Sequence, residues 1–180
     1  MITIVSIDKF VKSNQQETAL SQIESIFFSS SARQEFANDL ERSQFRYKYL
    51  DWYRIHHPEL LYLAVTADAE INGYICGTPN TRQSPELFEL HPWLEELTAQ
   101  CESFPAHLHI NLTEATRGMG VGSQLIEVFE NRLKSLKVAG VHLVTSPSAR
   151  NVGFYKKNGY NFESVFHWKN VDLLFLGKQL

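Results

Sequence analysis

Apolar positions along this chain fall at two spacings, alternation and helical repeat, and these sort it into strands and helices. Residues 2–7 alternate and are rich in β-branched types, as a first strand would be. From about residue 15 to 28, Leu20, Ile23 and Ile26 stand at helical spacing. Phe36, Leu40, Phe45 and Tyr49 carry that spacing through residues 32–55 with interleaved charge. This predicts one long helix or two short ones, ending before His57-Pro58 because proline disfavours helical geometry in the residue ahead of it. Residues 60–66 and 71–76 are short apolar runs joined by Ala67-Asp68-Ala69-Glu70, with Asn72-Gly73 nearby, a pattern that predicts an antiparallel hairpin.

Residues 78–104 are the least regular stretch, with Pro79, Pro85 and Pro92 inside it and Pro105 just beyond; one or two short helices fit between 86 and 101. This segment and the aromatic stretch 47–57 are expected to line a substrate site. Next come a strand at 107–112, a helix at 120–137 and a strand at 141–145, then a short helix at 151–157 and strands at 162–168 and 171–176. Leu125, Ile126, Phe129, Leu133 and Leu136 mark the core-facing stripe of the longer helix. Without internal repeats, strands outnumbering helices around a β-α-β-α-β centre argue for an α/β (α+β) fold. A mixed central sheet with helices on both faces is the expectation.

Composition narrows the function. A chain of 180 residues, 43% hydrophobic, is long enough for one buried core, so residues 1–180 are expected to form a single domain. Its 17 basic and 20 acidic residues give a formal charge of -3, which argues against a nucleic-acid partner. Cys76 and Cys101 lie in no C-x-x-C pair and among no histidines at ligand spacing, so neither a disulfide framework nor a metal site is expected. The N-terminus lacks a basic region followed by an apolar run, and no stretch approaches the roughly 20 apolar residues of a membrane span. A soluble, cytoplasmic protein without a membrane partner is the expectation.

The strongest chemical signal is Leu112-Thr-Glu-Ala-Thr-Arg117-Gly118-Met119-Gly120-Val121-Gly122-Ser123, between a strand and a helix. Unpaired backbone N–H groups and the positive helix end suit an anion there, and alternate glycines let the backbone approach a diphosphate. A P-loop requires Lys before its Ser/Thr, whereas Gly122 is followed by Ser123-Gln124. A dinucleotide fingerprint would need glycine at Leu125 or at Ser123, depending on register. What the run resembles is the acyl-CoA signature of the GNAT acetyltransferase superfamily, Gln/Arg-x-x-Gly-x-Gly/Ala, here Arg117-Gly-Met-Gly120-Val-Gly122. Downstream, Asn151-Val-Gly-Phe-Tyr155-Lys-Lys-Asn-Gly159-Tyr160 resembles that family's second segment. The run His-Leu-His-Ile-Asn-Leu is also similar to acetyltransferase-like proteins related to the C-terminal domain of O-GlcNAcase.

The resemblance implies a GNAT fold and an acetyl-CoA-dependent N-acetyltransferase that passes its acetyl group directly to a primary amine in a ternary complex. It implies that the Leu112 amide holds the acyl carbonyl, that Arg117, Gly118, Met119, Gly120, Val121, Gly122 and Ser123 take the diphosphate, and that Asn151 binds the cofactor arm or caps its helix. Tyr155 would protonate the departing thiolate or simply pack with Phe154. Strand alternation puts His107, His109 and Asn111 on one face, with His109 the candidate base and Glu163 or Asp172 its substitutes through water. The family commonly has proline where Glu114 stands, so a looser turn is expected. The acceptor is a small-molecule or protein amine, and a homodimer remains open. A CoA-binding module without transfer activity is the alternative, because the residues name no certain base.

Overall fold

The computed structural model describes residues 1–11 and 16–180, so the expected helical start at Gln15 lies outside the described residues. Seven strands form one mixed sheet in the order β1-β2-β3-β4-β5-β7-β6: β1 Ile2–Ser6, β2 Tyr62–Thr66, β3 Ile71–Thr78, β4 Ala106–Leu112, β5 Gly140–Thr145, β6 Phe162–Trp168 and β7 Val171–Gln179. With them are α1 Ile7–Val11, α2 Gln16–Ser30, α3 Asp39–Arg46, α4 Trp52–His56, α5 Pro85–Leu90, α6 Thr98–Ser103, α7 Val121–Ser135 and α8 Val152–Lys157. Short α-helices are thus more numerous, among the described residues, than the apolar spacing predicts; several last little more than a turn. None of the described helices is long and apolar enough to cross a membrane.

The chain divides into two compact units, Met1–Gly77 with His109–Phe129, and Thr78–Leu108 with Glu130–Leu180. In the first, β1 pairs antiparallel with β2 from Ile2↔Thr66 to Ser6↔Tyr62, and β2 pairs antiparallel with β3 across a register shift at Ala64/Val65. The expected hairpin closes through Ala69, whose φ of 62° provides the sharp reversal. Residues 32–55 hold neither one helix nor two plain ones. Residues 31–38 are irregular, Asn38 caps α3 by accepting from the Glu41 N–H at 2.9 Å, and a π-helical turn at Tyr47–Asp51 joins α3 to α4. Such a turn carries an extra residue per turn and re-aims the side chains after it.

In the second unit β4 and β5 pair in parallel at Ala106↔Val141 and His107↔His142, while β5 with β7 and β6 with β7 pair antiparallel. β7 is longer than its apolar run because Gly177 continues the ladder with β5 and β6, and Lys178 and Gln179 continue it with β5. Leu136, expected in the core, is instead 41% exposed. Helix α7 stops at Ser135, where Lys137 takes a left-handed φ of 59° and the Val138 N–H returns to the Leu133 carbonyl at 3.1 Å. This closing pattern satisfies the last carbonyls and turns Leu136 outward.

Candidate active site

In the first unit, β4 runs into the glycine turn and then α7. The turn is not loosened by Glu114. Glu114–Thr116 form a 3-10 turn in which the Thr116 N–H donates to Thr113 O and the Arg117 N–H to Glu114 O, both at 3.2 Å. Its tether is Asn72 on β3, whose carbonyl accepts from the Thr113 N–H at 2.9 Å and from the buried Thr116 hydroxyl at 3.1 Å. The sequence flagged Asn72-Gly73 only as part of a hairpin; their proximity to Thr113 arises 41 residues away in the chain.

Past Arg117, Gly118 and Gly120 adopt φ of 77° and 81°, and a Cβ on either would meet nothing within 4 Å. Backbone conformation, not crowding, therefore demands glycine here. Gly118, Met119 and Gly120 are all exposed, with Met119 66% accessible, so this stretch of main chain lies open. The Gln124 N–H bonds Gly120 O at 3.2 Å, which makes Gly120 the residue ahead of the helix. The amides of Val121, Gly122 and Ser123 then have no intrahelical acceptor and mark the positive end of a 15-residue helix. Val121 anchors that end, buried to 3%.

Ser30, at the last position of α2, is a site residue that the sequence reading missed. Its hydroxyl donates to the Leu112 carbonyl at 3.2 Å and accepts from Arg117 Nη2 at 3.4 Å. One side chain thus ties the strand end to the arginine of the motif. On the same strand His109 packs its ring against Tyr53 at 4.8 Å and Tyr49 at 5.8 Å, both supplied by the π-turn region. Asn111 donates from Nδ2 to the Tyr74 hydroxyl at 2.8 Å. Burial holds both Tyr53 and Tyr74 well above the ordinary phenol value, so they stay neutral.

The second unit carries the other motif. Asn151 occupies the capping position of α8, yet its side chain caps nothing; its Oδ1 accepts from the Thr145 hydroxyl at 3.3 Å. Tyr155 is buried, packed edge-on against Phe154 at 5.3 Å and Tyr160 at 5.8 Å. Its burial raises the phenol above the usual range. After α8, Gly159 turns with φ of 91°, and Lys178 fixes this turn by donating to Asn158 O at 2.8 Å and to Glu130 Oε2 at 2.6 Å. Lys178 and Glu130 lie outside both motifs, and no local pattern announces them.

His107 shares its strand face with His109 by alternation but belongs with the second unit, 4.8 Å from the ring of His142 and 6.2 Å from His91. The substitutes for a base are both exposed and paired, Glu163 with Lys156 and Asp172 with His167, each at 2.9 Å.

The family model described as acetyltransferase (GNAT) family matches residues 25–160. Among solved structures, SsHAT is similar over 99% of this chain and 98% of its own, with 19% identity and a TM-score of 0.73. An agmatine N-acetyltransferase is similar over 99% of each chain, with 14% identity and a TM-score of 0.65. The PaiA N-acetyltransferase of Thermoplasma acidophilum, solved with coenzyme A, is similar over 100% of this chain and 99% of its own, with 17% identity and a TM-score of 0.60.

Proposed function

Because this chain belongs to the acetyltransferase (GNAT) family, we propose that it is an acetyl-CoA-dependent N-acetyltransferase acting on a primary amine, small-molecule or protein-borne. The observation that carries this reading is the open turn in which Gly118 and Gly120, both at positive φ, lead into the N-terminal amides of α7. Main-chain donors of this kind hold a diphosphate without needing a charged side chain in contact. Arg117 through Ser123 take the diphosphate of acetyl-CoA in this reading, and Asn151 the pantetheine arm.

The transfer proceeds by attack of the neutral amine on the thioester carbonyl. The C–N bond forms, the C–S bond breaks, His109 receives the proton of the amine and Tyr155 supplies one to the departing thiolate. The Leu112 N–H stabilises the oxyanion that forms between these events. A phenol held above its ordinary range by burial is fully protonated at neutral pH, as a general acid must be before it acts. Its packing against Phe154 and Tyr160 supports a fixed ring orientation.

A single transferase domain over residues 1–180 is part of the proposal. In its support, the chain changes unit inside β4, after Leu108, and inside α7, after Phe129.

Calorimetry of acetyl-CoA on the wild type and Gly120→Trp, followed by thiol release over a pooled panel of amines, tests the reading. We expect binding that the substitution abolishes, and amine-dependent release that Tyr155→Phe lowers by roughly 10²-fold without changing the melting temperature. Binding with no release from any amine would leave a CoA-binding module, and absence of binding would overturn the assignment.

A further inference from the structure

We infer that the outer edge of β6 is a self-recognition surface, on which a second copy of this chain pairs antiparallel about Val165. β6 ends the order of the sheet and has β7 as its neighbour on one side only. The two-residue turn Lys169-Asn170, with Lys169 at a φ of 55°, makes Trp168↔Val171 the closing pair of the hairpin. In such hairpins the closing pair exchanges both of its backbone hydrogen bonds. By alternation the N–H and C=O groups of Phe162, Ser164, Phe166 and Trp168 then face β7, and those of Glu163, Val165 and His167 face outward. The side chains of these last three residues share one face of the sheet and are all exposed, with Val165 61% accessible between two charged neighbours.

Charge on an edge strand ordinarily repels whatever strand approaches it. Here the charges select one strand. A two-fold axis through Val165 sets Val165 against its copy, Glu163 against His167 and Phe162 against Trp168, and it overlaps the whole of β6, all 7 residues. Sliding the copies until Glu163 meets Glu163, or His167 meets His167, opposes like groups and shortens the overlap. The intramolecular partners extend the match. Lys156 holds Glu163 and Asp172 holds His167, each at 2.9 Å. The two-fold register therefore brings Lys156 and Glu163 of one copy together with His167 and Asp172 of the other, in alternating sign. The hydrogen bond to Asp172 also raises His167 above the ordinary imidazole value, which favours its cation.

Backbone and apolar groups add to this. The outward groups of the three residues exchange roughly six N–H···O bonds across the seam, and Phe162 and Trp168 form a cross-strand aromatic pair on the opposite face. Because the same patch serves both copies, the contact closes as a dimer instead of growing into a fibre.

Sedimentation velocity of the full-length chain over a concentration series, without acetyl-CoA, tests this independently of any transferase activity. One strand seam is a small interface, so the expected result is a monomer–dimer equilibrium with a Kd on the order of 10 μM. Val165→Lys sets two like charges on the axis and should weaken it roughly 100-fold, while Glu163→Lys and His167→Glu should each weaken it roughly tenfold. All three positions are exposed, so the variants should melt close to the wild type. An equimolar mixture of Glu163→Lys and His167→Glu should regain wild-type association. In the mixed dimer the new lysine faces the new glutamate, and His167 of the first chain faces Glu163 of the second. A local structural defect in either variant would not be repaired by mixing. A chain that stays monomeric throughout, a dimer undiminished in Val165→Lys, or a mixture no stronger than its components would overturn the inference.

Discussion

A Cβ at Gly73 would overlap Leu112 Cδ2 and lie 3.0 Å from the Asn111 carbonyl, whereas one at Gly120 would meet open space at a φ of 81°. The first glycine is required by the close approach of two chain segments, the second by backbone conformation alone. Gly73→Ala should therefore shift Leu112, cost about 1–3 kcal/mol by overpacking, and reduce acetyl-CoA affinity along with it; urea unfolding and calorimetry read the two effects. Gly120→Ala should cost about 1 kcal/mol from the left-handed conformation without disturbing any neighbour. A Gly120→Ala variant as stable as wild type would show that the turn relaxes, and would remove the argument that its geometry is fixed. Ser30→Ala offers a gentler probe, since it breaks the link between the Leu112 carbonyl and Arg117 while removing no apolar contact. The motif glycines were legible in the sequence because φ is a local property. Ser30 was not, since its partner lies 82 residues away and serine is common at helix ends.

At the scale of elements, α7 shows what apolar spacing does and does not report. Leu125, Phe129 and Leu133 are fully buried as the helical stripe predicts, but Leu136 continues the stripe past the point where the helix ends. Leu133→Ala should cost about 2–5 kcal/mol as a buried truncation, and Leu136→Ala less than about 0.5 kcal/mol; chemical denaturation of the two variants compares them directly. All seven strands were readable from alternation or apolar runs, and their boundaries shifted by only a few residues. The π turn was not readable. Phe45 and Tyr49 keep a helical spacing across it, and the extra residue shows only in the Trp52 N–H bonding back to the Tyr47 carbonyl. Pairings such as Ala106↔Val141 likewise depend on which strands meet, which no window of sequence contains.

For the whole molecule, buried His142 contributes to the response to acid. His142 is wholly buried, stacked on Phe175 at 4.7 Å, and its Nδ1–H donates to the Phe104 carbonyl at 2.6 Å. A carbonyl can only accept, so Nδ1 carries the proton of this bond, and Nε2 faces the interior without a hydrogen bond among the described residues. Burial is the dominant cause and lowers its pKa from 6.5 to about 4, against the smaller opposing effect of the bond to Phe104. Above pH 6.5 the ring is neutral in both folded and unfolded chains and contributes no pH dependence. Between 6.5 and about 4 the unfolded chain takes up a proton that the folded one refuses, so stability falls with pH across that window and levels off below it. Full traversal corresponds to roughly 3 kcal/mol, a large part of what holds a domain of this size folded. Urea midpoints measured from pH 7.5 downward should fall most steeply inside the window, and His142→Asn, which keeps an N–H donor for Phe104 but cannot titrate, should flatten that fall. If the variant loses stability with acid as steeply as the wild type, the titrating groups lie elsewhere and the argument from His142 fails.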